Sequence, residues 1–305
     1  MIYKEIKIWD QENLANLKCY LLSDSKEFNT GRKKPAIIIC PGGGYLGTSD
    51  RESEAIALKF ASEGYHAFVL EYNTYFGNHK GRPDYSNMPP INKKSVFPQP
   101  LLDLSQAIKL VREMADECFI DKDKIALCGF SAGGNLVANQ SVKWNEKWLS
   151  ESLNTSSDLI KPNAVILGYP LTDYILMKEE VYQKANKDLL NFWKTSNTSI
   201  FGKEEPSDEE LLNLSPARHV TKDTPPTFVW HTANDSMVYV SNTIVYGLAL
   251  SKNDIPFEMH IFEKGPHGLS LCDKTTAVNE EQINPHCKNW IKMALEFLDS
   301  QFKNS

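Results

Sequence analysis

The sequence predicts an α/β fold, a mostly parallel central sheet with helices on both faces. Three observations carry this expectation. Short apolar runs recur at 36–40, 66–71, 125–128, 164–168, 227–232 and 257–262, the length and composition of fully buried strands. Longer segments with apolar residues at helical spacing separate most of them. The alternation of the two, rather than a block of each, is the pattern of a parallel sheet covered on both sides.

Taken in order, Met1-Ile2-Tyr3-Lys4-Glu5-Ile6-Lys7-Ile8-Trp9 alternates polar and apolar residues. It reads as an edge strand over about 2–9, not as a secretory leader with an apolar centre. A second strand is expected over 17–22. Strand 36–40 leads through three glycines to a helix near 51–63, which stops at Glu63-Gly64-Tyr65 with glycine in the C-cap position. Strand 66–71 follows. Leu101, Leu104, Ile108 and Val111 set a helical period near 101–117. Further helices are expected over 132–143, 238–252 and 285–302. In the second of these, Val240, Ile244 and Leu248 form a stripe expected to pack into the core.

Two stretches break the alternation. Residues 73–99 are rich in Tyr, Asn, Gly and Pro and show no period. Residues 171–216 hold short helical patterns around 178–194 and a polar turn at Glu204-Glu205-Pro206-Ser207. Both leave the C-terminal end of an expected strand, the face on which open α/β sheets bind ligands. They are expected to be loop and cap material over a site. Residues 1–305 are thus expected to form one domain with two insertions.

Composition narrows the function. The 305 residues are 41% hydrophobic and 24% charged, ordinary globular values, and the formal charge of −6 leaves no basic stripe. Nucleic acid and anionic membrane surfaces are therefore not expected partners. No run is long and apolar enough to span a bilayer. The six cysteines (19, 40, 118, 128, 272 and 287) include no C-x-x-C pair. They read as small buried hydrophobes in a reducing cytoplasm. His66, His79 and His286 match no metal spacing, so no metal is expected.

The chemistry lies in Gly129-Phe130-Ser131-Ala132-Gly133. A chain of this length meets G-x-S-x-G by chance about one time in ten. Here, however, the motif sits between the strand Lys124-Ile125-Ala126-Leu127-Cys128 and a helix. A strand, a tight glycine turn, a serine and a helix form the context of an exposed nucleophile. Flanking glycines permit so sharp a turn, and the helix N-terminus faces the hydroxyl. Upstream, Pro41-Gly42-Gly43-Gly44-Tyr45 follows a strand, and three glycines let backbone N–H groups approach a ligand. Downstream, Asp235 lies just past strand 227–232, and His267 lies in Gly265-Pro266-His267-Gly268 after strand 257–262.

Each residue has a rival. Ser131 is also a residue type favoured as a helix N-cap. Asp173, after strand 164–168, is the competing acid. Asp235 is preferred because it follows the strand that precedes the histidine strand. His260 and His231 sit in or at the end of strands, where packing roles are usual, and His219 precedes Pro225-Pro226. Only His267 lies in a glycine loop. Among Tyr45, Tyr72, Tyr75, Phe76, Tyr169 and Trp193, the substrate contacts expected are Tyr45 and Tyr169.

On these residues the chain resembles the α/β-hydrolase serine esterases. Within them it is most similar to the acetylesterase and acetylxylan-esterase branch related to hormone-sensitive lipases. The resemblance runs over roughly residues 17 to 300 and rests on Pro41–Tyr45, Gly129–Gly134, Asp235-Ser236-Met237-Val238 and Gly265–Gly268. It implies an α/β-hydrolase fold with the order Ser131, Asp235, His267. Ser131 would be the nucleophile, His267 its base, and Asp235 the group that orients the base. The N–H groups of Gly43, Gly44 and Ala132 would form the oxyanion hole. Pro41 stands where many relatives have histidine, which moves the chain toward the sugar-ester branch.

The expected reaction is hydrolysis of a short-chain, most of all acetyl, ester of a sugar or xylo-oligosaccharide, and it calls for no organic cofactor. Feruloyl ester hydrolysis, a prolyl-type peptidase activity and acyl transfer to an acceptor other than water stay open. A non-catalytic binding module on the same fold is the alternative from another class.

Overall fold

The computed structural model describes residues 1–9, 15–27, 31–77 and 87–303. Residues 78–86 of the first insertion, and with them His79, lie outside the described residues.

The elements run β1 (Ile2–Lys7), β2 (Asn16–Leu21), β3 (Lys34–Cys40), α1 (Glu54–Ser62), β4 (His66–Glu71) and α2 (Gln99–Glu113). Then come β5 (Ile120–Phe130), α3 (Ser131–Lys143), α4 (Lys147–Ser152), α5 (Ser157–Ile160) and β6 (Ala164–Gly168). The chain continues with α6 (Tyr174–Lys184), α7 (Lys187–Phe201), α8 (Asp208–Asn213), β7 (Thr227–Thr232), α9 (Ser241–Lys252), β8 (Phe257–Phe262) and α10 (Trp290–Lys303). The eight strands lie in the order β1-β2-β4-β3-β5-β6-β7-β8. β2 pairs antiparallel with both β1 and β4, and every other neighbour is parallel.

Side-chain alternation along the inner strands feeds two cores. Ile38, Cys40 and Leu127 face the layer that holds α2 and α3. Ile37, Ile39, Ala126 and Cys128 face α1 and α10. With both faces covered, the strands read as unbroken apolar runs.

The site is positioned by the crossover at β3. The chain steps outward from β3 to β4 and then returns past β3 to β5. The loops leaving β3 and β5 therefore diverge above adjacent strand ends, where such sheets open a crevice. Cys40 pairs with Gly129 in the ladder, so the triple-glycine loop and Ser131 emerge side by side.

Two expectations need correction. Ile244 and Leu248 are 46% and 53% exposed, so the apolar stripe of α9 faces outward. Its buried face is instead Asn242, Thr243, Tyr246, Gly247 and Leu250. The polar buried residues have partners there: Thr172 and Asp173 donate their amides to Asn242 Oδ1, and Tyr246 shares a hydrogen bond with Ser141. The segment 171–216 is also more regular than expected. It folds as α6, α7 and α8, and the polar turn ends in a capping box, with Ser207 and Glu210 each accepting from the other's amide.

Candidate functional site

β5 runs straight into α3, and Ser131 at the junction has φ 52°. A left-handed conformation costs a non-glycine residue on the order of 1–3 kcal/mol. Tight packing holds it in place. A Cβ on Gly129 would lie 2.3 Å from the Gly133 carbonyl oxygen, and one on Gly133 would lie 2.1 Å from that of Cys40. Both positions admit only glycine.

His267 reaches Ser131 from the loop after β8. Its Nε2 lies 2.9 Å from Ser131 Oγ, and its Nδ1 lies 2.7 Å from Asp235 Oδ2. A carboxylate only accepts, so Nδ1–H donates to Asp235, and in the neutral ring Nε2 accepts from the serine hydroxyl. The two loops are tied together: Gly265 N–H donates to Asn234 Oδ1, and Thr232 Oγ donates to the Gly265 carbonyl.

Asp235 is only 4% exposed. Its Oδ1 accepts from the amides of Met237 and Val238. Burial alone would raise its pKa, but the positive His267 and the hydrogen bonds from His231 and His267 outweigh that and hold it well below the ordinary carboxylate range. For His267 burial favours the neutral ring, yet the charge and hydrogen bond of Asp235 win, and its pKa is raised.

The glycine loop is pinned by its carbonyls. Gly43 O accepts from Leu46 N–H, and Gly44 O accepts from Ser196 Oγ. Gly43 and Gly44 have φ of 137° and 61°, which glycine alone adopts freely. Among the described residues, no acceptor within the protein meets the N–H of Gly43 or Gly44. Ala132, in the first turn of α3, likewise has no intrahelical acceptor. These three amides therefore have no acceptor within the protein among the described residues.

Tyr45 and Tyr169 correct the expectation of substrate contact. Both are 2% exposed, and both hydroxyls are used internally. Tyr45 donates to Asn135 Oδ1, and Tyr169 donates to Glu52 Oε1 while accepting from Ser270 N–H. The Tyr169 ring packs edge-on against the His267 ring at 5.0 Å. The wall beside Ser131 comes instead from the cap. Phe192 and Trp193 of α7, with Tyr174 and Met177 of α6, close a narrow apolar cavity of about 30 Å³.

The rivals fall away from Ser131. Asp173 caps α6 and pairs with Arg218. His219 meets the Leu212 carbonyl, and His260 meets Glu258. His231 is different: its Nε2 lies 3.2 Å from Asp235 Oδ2 and 2.9 Å from the Val238 carbonyl, and its Nδ1 lies 2.8 Å from Thr243 Oγ. The packing role expected for it understated this contact. Phe192, Glu52 and His231 carried no motif that could single them out. Trp193 stood only among the candidate aromatics.

Residues 25–248 match the BD-FAE family model. The chain is 31% identical over 261 residues to endo-1,4-beta-xylanase B of Butyrivibrio fibrisolvens, covering 85% of this chain and 35% of that one. It is 26% identical over 283 residues to an acetylxylan esterase of Xylanibacter ruminicola, covering 91% and 48%. The chain thus spans between a third and a half of the length of these curated relatives. Among solved structures, a sugar hydrolase from Lactococcus lactis superposes with a TM-score of 0.74 at 30% identity, covering 99% of each chain.

Proposed function

Since this chain belongs to the BD-FAE family and has the α/β-hydrolase fold, we propose that it is a serine carboxylesterase that removes acetyl groups from small carbohydrate esters. The observation that carries this reading is the unbroken hydrogen-bonded chain from Ser131 through His267 to Asp235, at 2.9 and 2.7 Å.

A serine hydroxyl is a weak nucleophile until a base takes its proton. His267 Nε2 removes the proton as Ser131 Oγ bonds to the ester carbonyl carbon. The carbonyl oxygen becomes an oxyanion and accepts from the N–H groups of Gly43, Gly44 and Ala132. Such a donor is worth on the order of 3 kcal/mol in the barrier. Asp235 fixes the tautomer of His267 and stabilises the imidazolium. The tetrahedral species collapses, the C–O bond to the alcohol breaks, and His267 returns the proton to the leaving oxygen. Water, deprotonated by His267, attacks the acyl-enzyme and releases the carboxylic acid and free Ser131.

The narrow cavity supports a short acyl group, because it has room for a water-sized group or two and no charged side chain lines it. The acetylxylan esterase and sugar hydrolase relatives support a carbohydrate alcohol. Acetylated xylo-oligosaccharides are the substrates proposed.

The test is hydrolysis of p-nitrophenyl acetate, butyrate and octanoate by the protein and by Ser131→Ala, followed by acetylated xylo-oligosaccharides. Acetate is expected to be preferred, and Ser131→Ala to lower kcat by on the order of 10⁴–10⁶-fold. Equal rates in the two proteins would remove the nucleophile assignment. Faster turnover of octanoate would remove the acetyl assignment.

A further inference from the structure

Between β3 and α1 lies a single turn of 3-10 helix, Asp50–Glu52, and two of its three charged residues, Glu52 and Arg51, face opposite ways. Glu52 points inward and is 4% exposed. Its Oε2 accepts from Gly42 N–H at 2.7 Å, and its Oε1 accepts from the Tyr169 hydroxyl at 2.7 Å. A Cβ on Gly42 would lie 2.9 Å from that Oε2 and 2.9 Å from Ser131 Cβ. The carboxylate therefore sits beneath the glycine loop and beside the nucleophile turn. Tyr169 passes the contact on, because its hydroxyl accepts from Ser270 N–H.

Arg51 points the other way, to the loop of the base. Its Nε donates to the Thr276 carbonyl at 2.6 Å and its Nη2 to the Gly268 carbonyl at 2.5 Å. The Arg51 carbonyl in turn accepts from Ser270 Oγ. Residue 268 follows His267 directly. Two consecutive residues thus tie the glycine loop, the end of β6 and the His267 loop to one another.

We infer that Glu52 and Arg51 are positioning residues that hold the oxyanion donors and His267 in register across Ser131. This rests on the serine esterase reading above and extends it to residues that touch neither substrate nor reacting atoms. By occupying the Gly42 amide, Glu52 fixes the plane from which the next two N–H groups project. A misplacement of about 1 Å in such a constellation costs on the order of 100-fold in rate.

The pair also bears on the base electrostatically, and with opposite signs. The charged or titratable groups that face His267 are Asp235 from the β7 loop, Glu52 and Arg51 from the 3-10 turn, and Tyr169 from the end of β6. Glu52 favours the imidazolium, and Arg51 disfavours it. Loss of Glu52's charge moves the acidic limb of kcat/KM to lower pH, and loss of Arg51's charge moves it to higher pH. A purely structural role would not give opposite shifts.

The experiment measures p-nitrophenyl acetate hydrolysis against pH for the wild-type chain, Glu52→Gln and Arg51→Met, with fluorophosphonate labelling of Ser131 alongside. Both variants are expected to lose about 10–100-fold in kcat with KM nearly unchanged, and their acidic limbs to shift in opposite directions. Wild-type kcat and an unmoved limb in both would overturn the proposal. If Glu52→Gln does not fold, Arg51→Met, which removes a half-buried side chain, decides alone: an unmoved limb with wild-type kcat overturns the proposal. Failure of the esterase reading is distinguishable, because the wild-type chain would then neither take the label nor hydrolyse the ester.

Discussion

Asp235 accepts four hydrogen bonds, and every partner is a donor: the amides of Met237 and Val238 at one oxygen, His267 and His231 at the other. His231 is held to this role by its own surroundings. The Val238 carbonyl can only accept, so His231 Nε2 carries the proton and Nδ1 accepts from Thr243. An asparagine at 235 would have to turn its amide group toward two donors whichever way it lay. Asp235→Asn is therefore expected to lower kcat by on the order of 10⁴-fold, read in an ester assay on protein whose fold is checked by circular dichroism; a loss under about tenfold would reassign the acid. The same carboxylate sets the pH response. His267 is lifted above the ordinary 6.5 by Asp235 against the pull of burial. As the base proposed above it acts only when neutral, so kcat/KM is expected to fall as pH drops through that raised value. A pH profile should place the midpoint of the acidic limb above 6.5; a midpoint at or below it contradicts the charge arrangement described.

At the scale of elements, α7 lines the cavity beside Ser131. Its C-terminal half is anchored by Ser196 to the Gly44 carbonyl and by Ser199 to the Tyr45 carbonyl, so the helix is fastened to the glycine loop itself. That anchoring sets Phe192 against Gly44, where an added Cβ would meet the ring at 2.7 Å. The ring lines the cavity proposed to take the acyl group. Phe192→Ala is expected to raise the ratio of kcat/KM for butyrate over acetate by about 10–200-fold, the usual worth of a methylene or two in an apolar pocket. An unchanged ratio would mean that the acyl chain points elsewhere. Sequence periodicity marked this region as helical but not as a wall. Phe192 and Trp193 are adjacent, so a helical period cannot give both the same face, and only the docking of α7 on the glycine loop makes them neighbours of Ser131.

Across the whole molecule, the inner strands were legible because burial on both faces leaves unbroken apolar runs, and β4, β6, β7 and β8 have the bounds expected. The positions of Ser131, Asp235 and His267 were legible because glycine turns and strand ends mark them. The outward α9 stripe was not. Its buried face uses Asn242, Thr243 and Tyr246, whose partners on other elements no local pattern reveals. Glu52 was not legible either, since its two partners, Gly42 and Tyr169, come from separate loops after β3 and β6. Long-range closure of this kind also governs stability. Trp290 opens α10, stacks on Trp230 of β7 at 5.3 Å and meets Phe130 at the end of β5 edge-on at 5.8 Å. Its Nε1–H donates to the Ser270 carbonyl at 2.9 Å, so one side chain joins α10, the sheet and the loop behind His267. The other residues that α10 buries, Ile291, Ala294, Phe297, Leu298 and Phe302, follow it along the helix, and none has the volume of an indole. Trp290→Ala should therefore destabilise the chain by about 3–5 kcal/mol, a large share of the ~5–15 kcal/mol that holds a typical domain together. Urea unfolding followed by tryptophan fluorescence measures it as a lower midpoint at an unchanged slope. A loss below about 1 kcal/mol, the ordinary cost of a point substitution, would mean that α10 is held by its other contacts and that the stack contributes little.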